Sequence, residues 1–233
     1  MESRPVEIVA HRGLQGVAPE NSAAAVQAAV DAGLTAIEVD VRRAREGTLF
    51  ALHDPRVDRT TDGKGPLREL SSAVVRRLRL RDGSPLPRIE EIVDLCRGRA
   101  RLCIDVKERE IGQAVVDLVV VNHIDAEIWS THAEVVARAS DAGIPAALIS
   151  HGLLPRGGAR ELAYFAAQLG AVAVSFFPAD IELATVRAFR DEGMALMCGT
   201  PNDPPTWLRL ARLHARAIIT DEPVRCAEVL NSG

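Results

Sequence analysis

The chain has 233 residues, a formal net charge of −4, and 47% hydrophobic against 26% charged residues. Such a composition suits a globular protein with a sizeable core and excludes a disordered tail, a collagen-like fibre and a disulfide-stapled miniature. Basic residues are scattered among acids rather than gathered in a stripe, which argues against nucleic acid as a partner.

The apolar runs Ala114–Val121 and Ala171–Phe177 fall well short of the roughly 20 residues that span a bilayer, so no transmembrane segment is expected. Met1–Pro5 leads directly into a strand-like stretch without the apolar core of a signal peptide, and a cytoplasmic location is expected. Cys96, Cys103, Cys198 and Cys226 show no CxxC spacing and read as buried free thiols.

Along the chain, short β-branched runs alternate with longer helical patterns, the signature of an α/β fold with parallel strands. Strands are predicted at Val6–Ala10, Thr35–Val41, Arg101–Val106, Ala126–Ser130, Pro145–Ser150, Ala171–Phe176, Met194–Cys198 and Ala217–Thr220. Helices are predicted at Asn21–Ala32, Gln113–Val121, His132–Ala142, Gly158–Leu169, Ile181–Glu192, Pro205–His214 and Pro223–Leu230. This alternation over this length matches a (β/α)8 TIM barrel. A doubly wound open sheet is the rival, but no GxGxxG or GxxxxGK[ST] follows any strand.

A further strand-like run, Thr48–His53, is separated from Thr35–Val41 only by Arg42–Gly47. A parallel crossover needs roughly a dozen residues, so the pair must be an antiparallel hairpin that returns His53 and Asp54 to the barrel mouth. Pro55–Leu95 then forms a small excursion between the second and third barrel strands, with turns at Asp62–Gly65 and Asp82–Pro85. Residues 1–233 are read as a single domain.

In such a barrel the chemistry lies at the carboxyl ends of the strands. The first strand ends in His11-Arg12-Gly13, the second in Glu38-Val39-Asp40 and the third in Asp105-Val106-Lys107. A spacing of two sets Glu38 and Asp40 on one face, and Asp105 and Lys107 on one face. Ionised carboxylates sharing an inward face repel and are poorly solvated unless a cation holds them. Oxygen-only ligands point to Mg²⁺, Ca²⁺ or Mn²⁺ rather than zinc. Taken singly, a histidine or an acid at a strand end is an ordinary rim residue. Two histidines, three carboxylates, an Arg and a Lys at one mouth instead suit phosphodiester cleavage.

These residues stand within longer motifs. Ala10-His11-Arg12-Gly13, Ala18-Pro19-Glu20-Asn21-Ser22, Ile37-Glu38-Val39-Asp40-Val41, His53-Asp54 and Arg59-Thr60-Thr61 follow one another in order, joined later by Leu86–Glu91, Ile104–Lys107 and Ile218–Pro223. The combination resembles the glycerophosphodiester phosphodiesterase family. That resemblance implies a (β/α)8 barrel that hydrolyses glycerophosphodiesters to glycerol 3-phosphate and an alcohol with a divalent metal. It implies His11 and His53 as the general acid/base pair, Glu38, Asp40 and Asp105 as metal ligands, and Arg12 and Lys107 on the substrate phosphate. Glu20, in the Pro-Glu-Asn turn, would support the site from behind, and Asn21 reads as a cap of the first helix.

Two positions depart from the family's pattern. Asp105 stands where the family usually carries Glu, and Cys198-Gly199-Thr200-Pro201-Asn202 replaces its usual Trp-Thr-x-Asn. Trp129, Phe176 and Phe177 are candidates for the lost flat wall, although core and rim packing explains each. His132 and His151 follow strands without motif support and read as bystanders. A lysophospholipase D-like activity would need an apolar platform, against which 3% aromatic residues argue. A catalytically silent phosphodiester-binding barrel is opposed by the retained histidines, acids and cations. Neither the preferred alcohol nor the oligomeric state is legible.

Overall fold

A computed structural model describes residues 6–150, 157–177 and 181–232. In chain order the strands are β1 Glu7–Ala10, β2 Ala36–Arg43, β3 Leu49–Ala51, β4 Arg101–Val106, β5 Ala126–Ser130, β6 Ala146–Ile149, β7 Ala173–Phe176, β8 Ala195–Gly199 and β9 Ala217–Thr220. The helices are α1 Ala23–Asp31, α2 Ser72–Val75, α3 Ile89–Cys96, α4 Gly112–Asn122, α5 Ala133–Asp141, α6 Gly158–Gln168, α7 Leu183–Asp191, α8 Pro204–Arg212 and α9 Pro223–Asn231. Eight strands pair in parallel, and β1 closes the ring by bonding β2 on one side and β9 on the other. The fold is the expected (β/α)8 barrel. The short strand β3 lies outside the ring, antiparallel to β2 with Val41 opposite Ala51, as so short a connection requires.

Strand alternation divides the core in two. Ile37, Val39, Ile104, Val106, Ile128, Val174 and Ile218 point outward and pack under the helices. Val9, Ala36, Cys103, Trp129, Ala173, Met197 and Ile219 fill the barrel. Below them Glu7 pairs with Arg101 and Glu127 with Arg216, so the charged side chains at the amino end are matched. Trp129 donates its indole N–H to Glu127 Oε1 at 2.9 Å and is 2% exposed, so it belongs to this interior and not to a substrate wall. Phe176 is likewise buried, edge-on to Phe189, whereas Phe177 is exposed. All four cysteines are free and buried.

The connection over 55–95 has two parts. Its first part carries the short helix α2 and places Val57, Leu67, Val75, Leu80 and Leu86 in a separate cluster with Ala44, Phe50 and Leu52 of the hairpin. Its last residues form α3 and are not part of the irregular excursion expected over Pro55–Leu95. Ile89, Ile92, Val93 and Cys96 of α3 enter the main core, so this helix is the barrel's own second helix. An eight-residue helix is marginal by itself. Burying each of its apolar side chains contributes roughly 1.5–3 kcal/mol, and Glu91 accepts the Arg88 N–H at 2.9 Å to satisfy its amino end.

Candidate active site

The site begins with the turn that leaves β1. Arg12 and Gly13 both take positive φ, +56° and +81°, and a Cβ on Gly13 would stand 2.7 Å from the backbone carbon of Ala25 in α1. Only glycine fits where the turn meets that helix. The Arg12 N–H donates to Glu38 Oε2 at 2.9 Å, and the Arg12 carbonyl accepts the Asn21 N–H at 3.0 Å. Ser22, not Asn21, caps α1, accepting the Ala25 N–H at 3.0 Å. Asn21 is buried in the left-handed region and has another task. It donates Nδ2 to Asp40 Oδ2 at 2.8 Å and accepts the Asp40 N–H on Oδ1 at 3.0 Å.

Register brings the acids together. Asp40 and Asp105 are direct partners on β2 and β4, and Glu38 lies two residues before Asp40 on the same face. Glu38, Asp40 and Asp105 each offer a carboxylate oxygen within 4.8 Å of the others, and all three are buried. Lys107, two residues past Asp105, sets Nζ 2.8 Å from Asp40 and against Asp105. Arg12 Nε lies 3.0 Å from Asp40 Oδ2, an ion pair whose N–H points off the hydrogen-bond line.

These placements set the charges. Burial, followed by repulsion from Asp40, pushes the Glu38 carboxyl up to about 8. Burial also raises Asp105 above the ordinary carboxylate range, against the pull of Lys107. Burial works the same way on Asp40, but Lys107 and Arg12 overcome it and hold Asp40 below that range. Three carboxylates thus face two cations, and the ion pairs go to Asp40 and Asp105. Among the described residues the group offers three hard oxygen donors and no soft ligand, a set that fits a divalent cation, whose charge would hold the Glu38 carboxyl ionised.

Both predicted histidines reach the same mouth. His11 Nδ1 lies 2.6 Å from Asp221 Oδ1, one residue beyond the Ala10–Thr220 register pair of β1 and β9. Burial acts to lower the His11 pKa, but the Asp221 hydrogen bond and the Glu38 charge outweigh it and raise it overall. His53 follows β3, where Leu52 N–H bonds the Asp40 carbonyl at 3.0 Å, and its Nδ1 lies 2.8 Å from Asp54 Oδ1. A carboxylate on Nδ1 in each case leaves Nε2 as the nitrogen available for proton exchange.

Glu20 stands behind this arrangement. Its oxygens accept from Arg12 at 2.8 Å and from two nitrogens of Arg59 at 2.6 and 2.8 Å, while Arg59 Nε donates to Asp54 Oδ2 at 2.6 Å. A continuous chain of charge-assisted bonds therefore joins Arg12 to His53. Arg59 is the main reason the Asp54 carboxyl lies well below its ordinary range.

The sequence reading assigned no role to Asp54, Arg59, Asp221, Asn202 or Gln15. His53-Asp54 and Thr220-Asp221 lay within quoted motifs, but nothing local ties Asp221 to a residue 210 positions away. His132 sits at the start of α5 with Nε2 3.4 Å from the Lys107 carbonyl, and His151 falls outside the described residues.

The described residues contain no helix long and apolar enough to cross a membrane. The Glycerophosphoryl diester phosphodiesterase family matches residues 11–108, the span holding both histidines, all three acids and Lys107. Over its whole length the chain is similar to a glycerophosphodiester phosphodiesterase of Caldanaerobacter subterraneus, 26% identical over 97% of this chain and 98% of the relative. Glycerophosphodiester phosphodiesterase 1 of Mus musculus is 39% identical over 44% of this chain, which covers 34% of that relative. Among solved structures, an Oleispira antarctica phosphodiesterase in complex with the product sn-glycerol-3-phosphate has TM-score 0.86 at 19% identity, covering 97% of each chain. At that identity the likeness shows the fold.

Proposed function

Since the chain belongs to the glycerophosphodiester phosphodiesterase family, a class of phosphoric diester hydrolases, we propose that it hydrolyses glycerophosphodiesters to glycerol 3-phosphate and an alcohol by proton exchange at His11 and His53. The observation that carries this reading is the convergence of two carboxylate-held imidazoles on one buried acidic cup. The product held by the Oleispira relative supports a small phosphodiester as substrate. Residues 1–233 act as one catalytic unit, with the 55–95 excursion supplying the support of His53 through Arg59.

Glu38, Asp40 and Asp105 would hold the divalent cation. When bound, such an ion supplies Lewis-acid stabilisation of charge on the phosphoryl oxygens. Arg12 and Lys107 line the same cup and add positive charge beside the phosphoryl group. The attacking oxygen, whether water or the substrate's neighbouring hydroxyl, must lose a proton, and the departing alkoxide must gain one. One imidazole Nε2 accepts the first proton and the other donates the second.

The test uses an alkyl-ester substrate such as glycerophosphocholine and a p-nitrophenyl ester of glycerol 3-phosphate. His11→Ala and His53→Ala should each lower turnover of the alkyl ester by about 10²–10⁴-fold. The p-nitrophenolate leaves without a proton, so the variant lacking the acid should recover on that ester and the other should not. Near-normal turnover of the alkyl ester in both variants, or equal damage from His132→Ala, would overturn the assignment. Full turnover in excess chelator, with metal content confirmed near zero, would overturn the metal requirement.

A further inference from the structure

We propose that Asp221, held in place by Asn202 and Gln15, is a positioning residue that fixes the His11 ring with its proton on Nδ1 and Nε2 presented for proton exchange. The inference rests on the reading of His11 as one of the acid/base pair.

The partners fix the direction of each hydrogen bond. Gln15 Nε2 donates to the His11 carbonyl at 2.9 Å and to Asp221 Oδ1 at 2.6 Å. Both amide hydrogens are then committed, and Gln15 has none left for His11 Nδ1, 3.2 Å away. The Asp221 carboxylate only accepts, so His11 Nδ1 must be the donor in the 2.6 Å contact. Neutral histidine ordinarily prefers its proton on Nε2; this site reverses the preference.

Asp221 itself cannot turn away. Asn202, in the segment after β8, donates Nδ2 to Asp221 Oδ2 at 2.7 Å. The Asn202 amide is fixed in that sense because its Oδ1 accepts from Thr220 Oγ1 at 2.8 Å and from the Asp221 N–H at 2.9 Å. Each Asp221 oxygen therefore meets a neutral amide donor, Asn202 on Oδ2 and Gln15 on Oδ1, and Oδ1 also takes the His11 proton. The arrangement gives Asn202 a place at the mouth, since its hydrogen bonds go to Asp221 and Thr220 and reach the His11 ring through Asp221. It also explains how the ring closure between β1 and β9 contributes to chemistry, since that register alone sets position 221 beside position 11.

Asp221→Asn tests this, because the isosteric amide has a single oxygen. If that oxygen faces Asn202, its NH₂ takes the place of Oδ1, where it opposes the NH₂ of Gln15 and donates to His11 Nδ1, forcing the ring proton onto Nε2. If it faces His11 and Gln15, its NH₂ opposes the NH₂ of Asn202. Kinetics and ring ¹⁵N NMR are measured on the full chain, with His11 assigned by loss of its signals in His11→Ala. The expected wild-type spectrum, above the pH at which the ring becomes neutral, shows the proton on Nδ1. Asp221→Asn should move it to Nε2 and lower kcat for glycerophosphocholine by about 10²-fold with KM within about twofold. In a His11→Ala background the same substitution should change nothing further.

A wild-type ring protonated on Nε2 would overturn the inference, and this reading needs no variant to fold. Multiplying effects of Asp221→Asn and His11→Ala would overturn it as well. Loss of turnover in His11→Ala with none in Asp221→Asn would sink the positioning role alone. Unchanged turnover in His11→Ala would sink it together with the acid/base reading.

Discussion

Asn21 is the residue whose removal should reveal what holds the acidic cup in shape. In Asn21→Ala the buried Asp40 N–H loses its acceptor, 3.0 Å away, and Asp40 Oδ2 loses a donor at 2.8 Å. An orphaned buried N–H costs about 1–3 kcal/mol, and a bond to a charged group contributes about 1.5–3 kcal/mol. Alanine must also adopt φ near +58°, adding about 1 kcal/mol. Asp40 keeps Arg12 and Lys107, so the terms overlap, and the expected loss is about 3–5 kcal/mol. For a chain of this length that is a fall of roughly 10 °C in Tm. Urea unfolding and calorimetry would measure it. Asn21→Gly relieves the backbone term and should be about 1 kcal/mol less damaging than Asn21→Ala. A loss below about 1 kcal/mol in Asn21→Ala would refute the reasoning. Equal losses in the two variants would refute the backbone part.

Gly13→Ala should cost about 2–4 kcal/mol in urea unfolding, combining left-handed strain with a clash against the Ala25 backbone. A change under about 0.5 kcal/mol would show that α1 yields freely. Asp54, whose carboxyl is depressed chiefly by Arg59, contributes stability above the unfolded-state value near 4 that is lost as pH falls through its lower folded value. Asp54→Asn should therefore be less stable at neutral pH and show a shallower acid limb. Equal slopes in the two proteins would contradict that sign. Asp105→Glu should bind Mn²⁺ at least as tightly as the parent by calorimetry, whereas Asp105→Ala should bind it more weakly. Equal weakening in both would show that the cup, with Lys107 against Asp105, has adapted to the shorter side chain.

What could be read in the sequence was whatever two adjacent elements determine. The period-two spacing of Glu38, Asp40, Asp105 and Lys107 survives folding because a strand fixes which side chains share a face. The hairpin was legible because six residues cannot make a parallel crossover. Helix α3 was missed although Ile89, Ile92, Val93 and Cys96 follow a helical stripe. It is barely two turns long and stands directly after the turn and proline signals of the excursion, Gly83, Pro85 and Pro87. Asn21 was misread because Pro-Glu-Asn-Ser offers two capping side chains in succession. Only backbone geometry decides, and the left-handed conformation of Asn21 turns its amide toward Asp40.

The supports of the two histidines were illegible for a different reason, and they are not alike. Asp54 neighbours His53 in sequence, yet its charge is shared with Arg59, which reaches back from the excursion to Glu20 and so to Arg12. Asp221 meets His11 only because the barrel closes, and its other partners, Gln15 and Asn202, are neutral amides. The two rings are therefore matched in orientation, each bound through Nδ1, but unmatched in electrostatic surroundings. For the proposed exchange, in which one imidazole takes a proton and the other gives one, these unlike supports are what distinguishes two otherwise identical side chains.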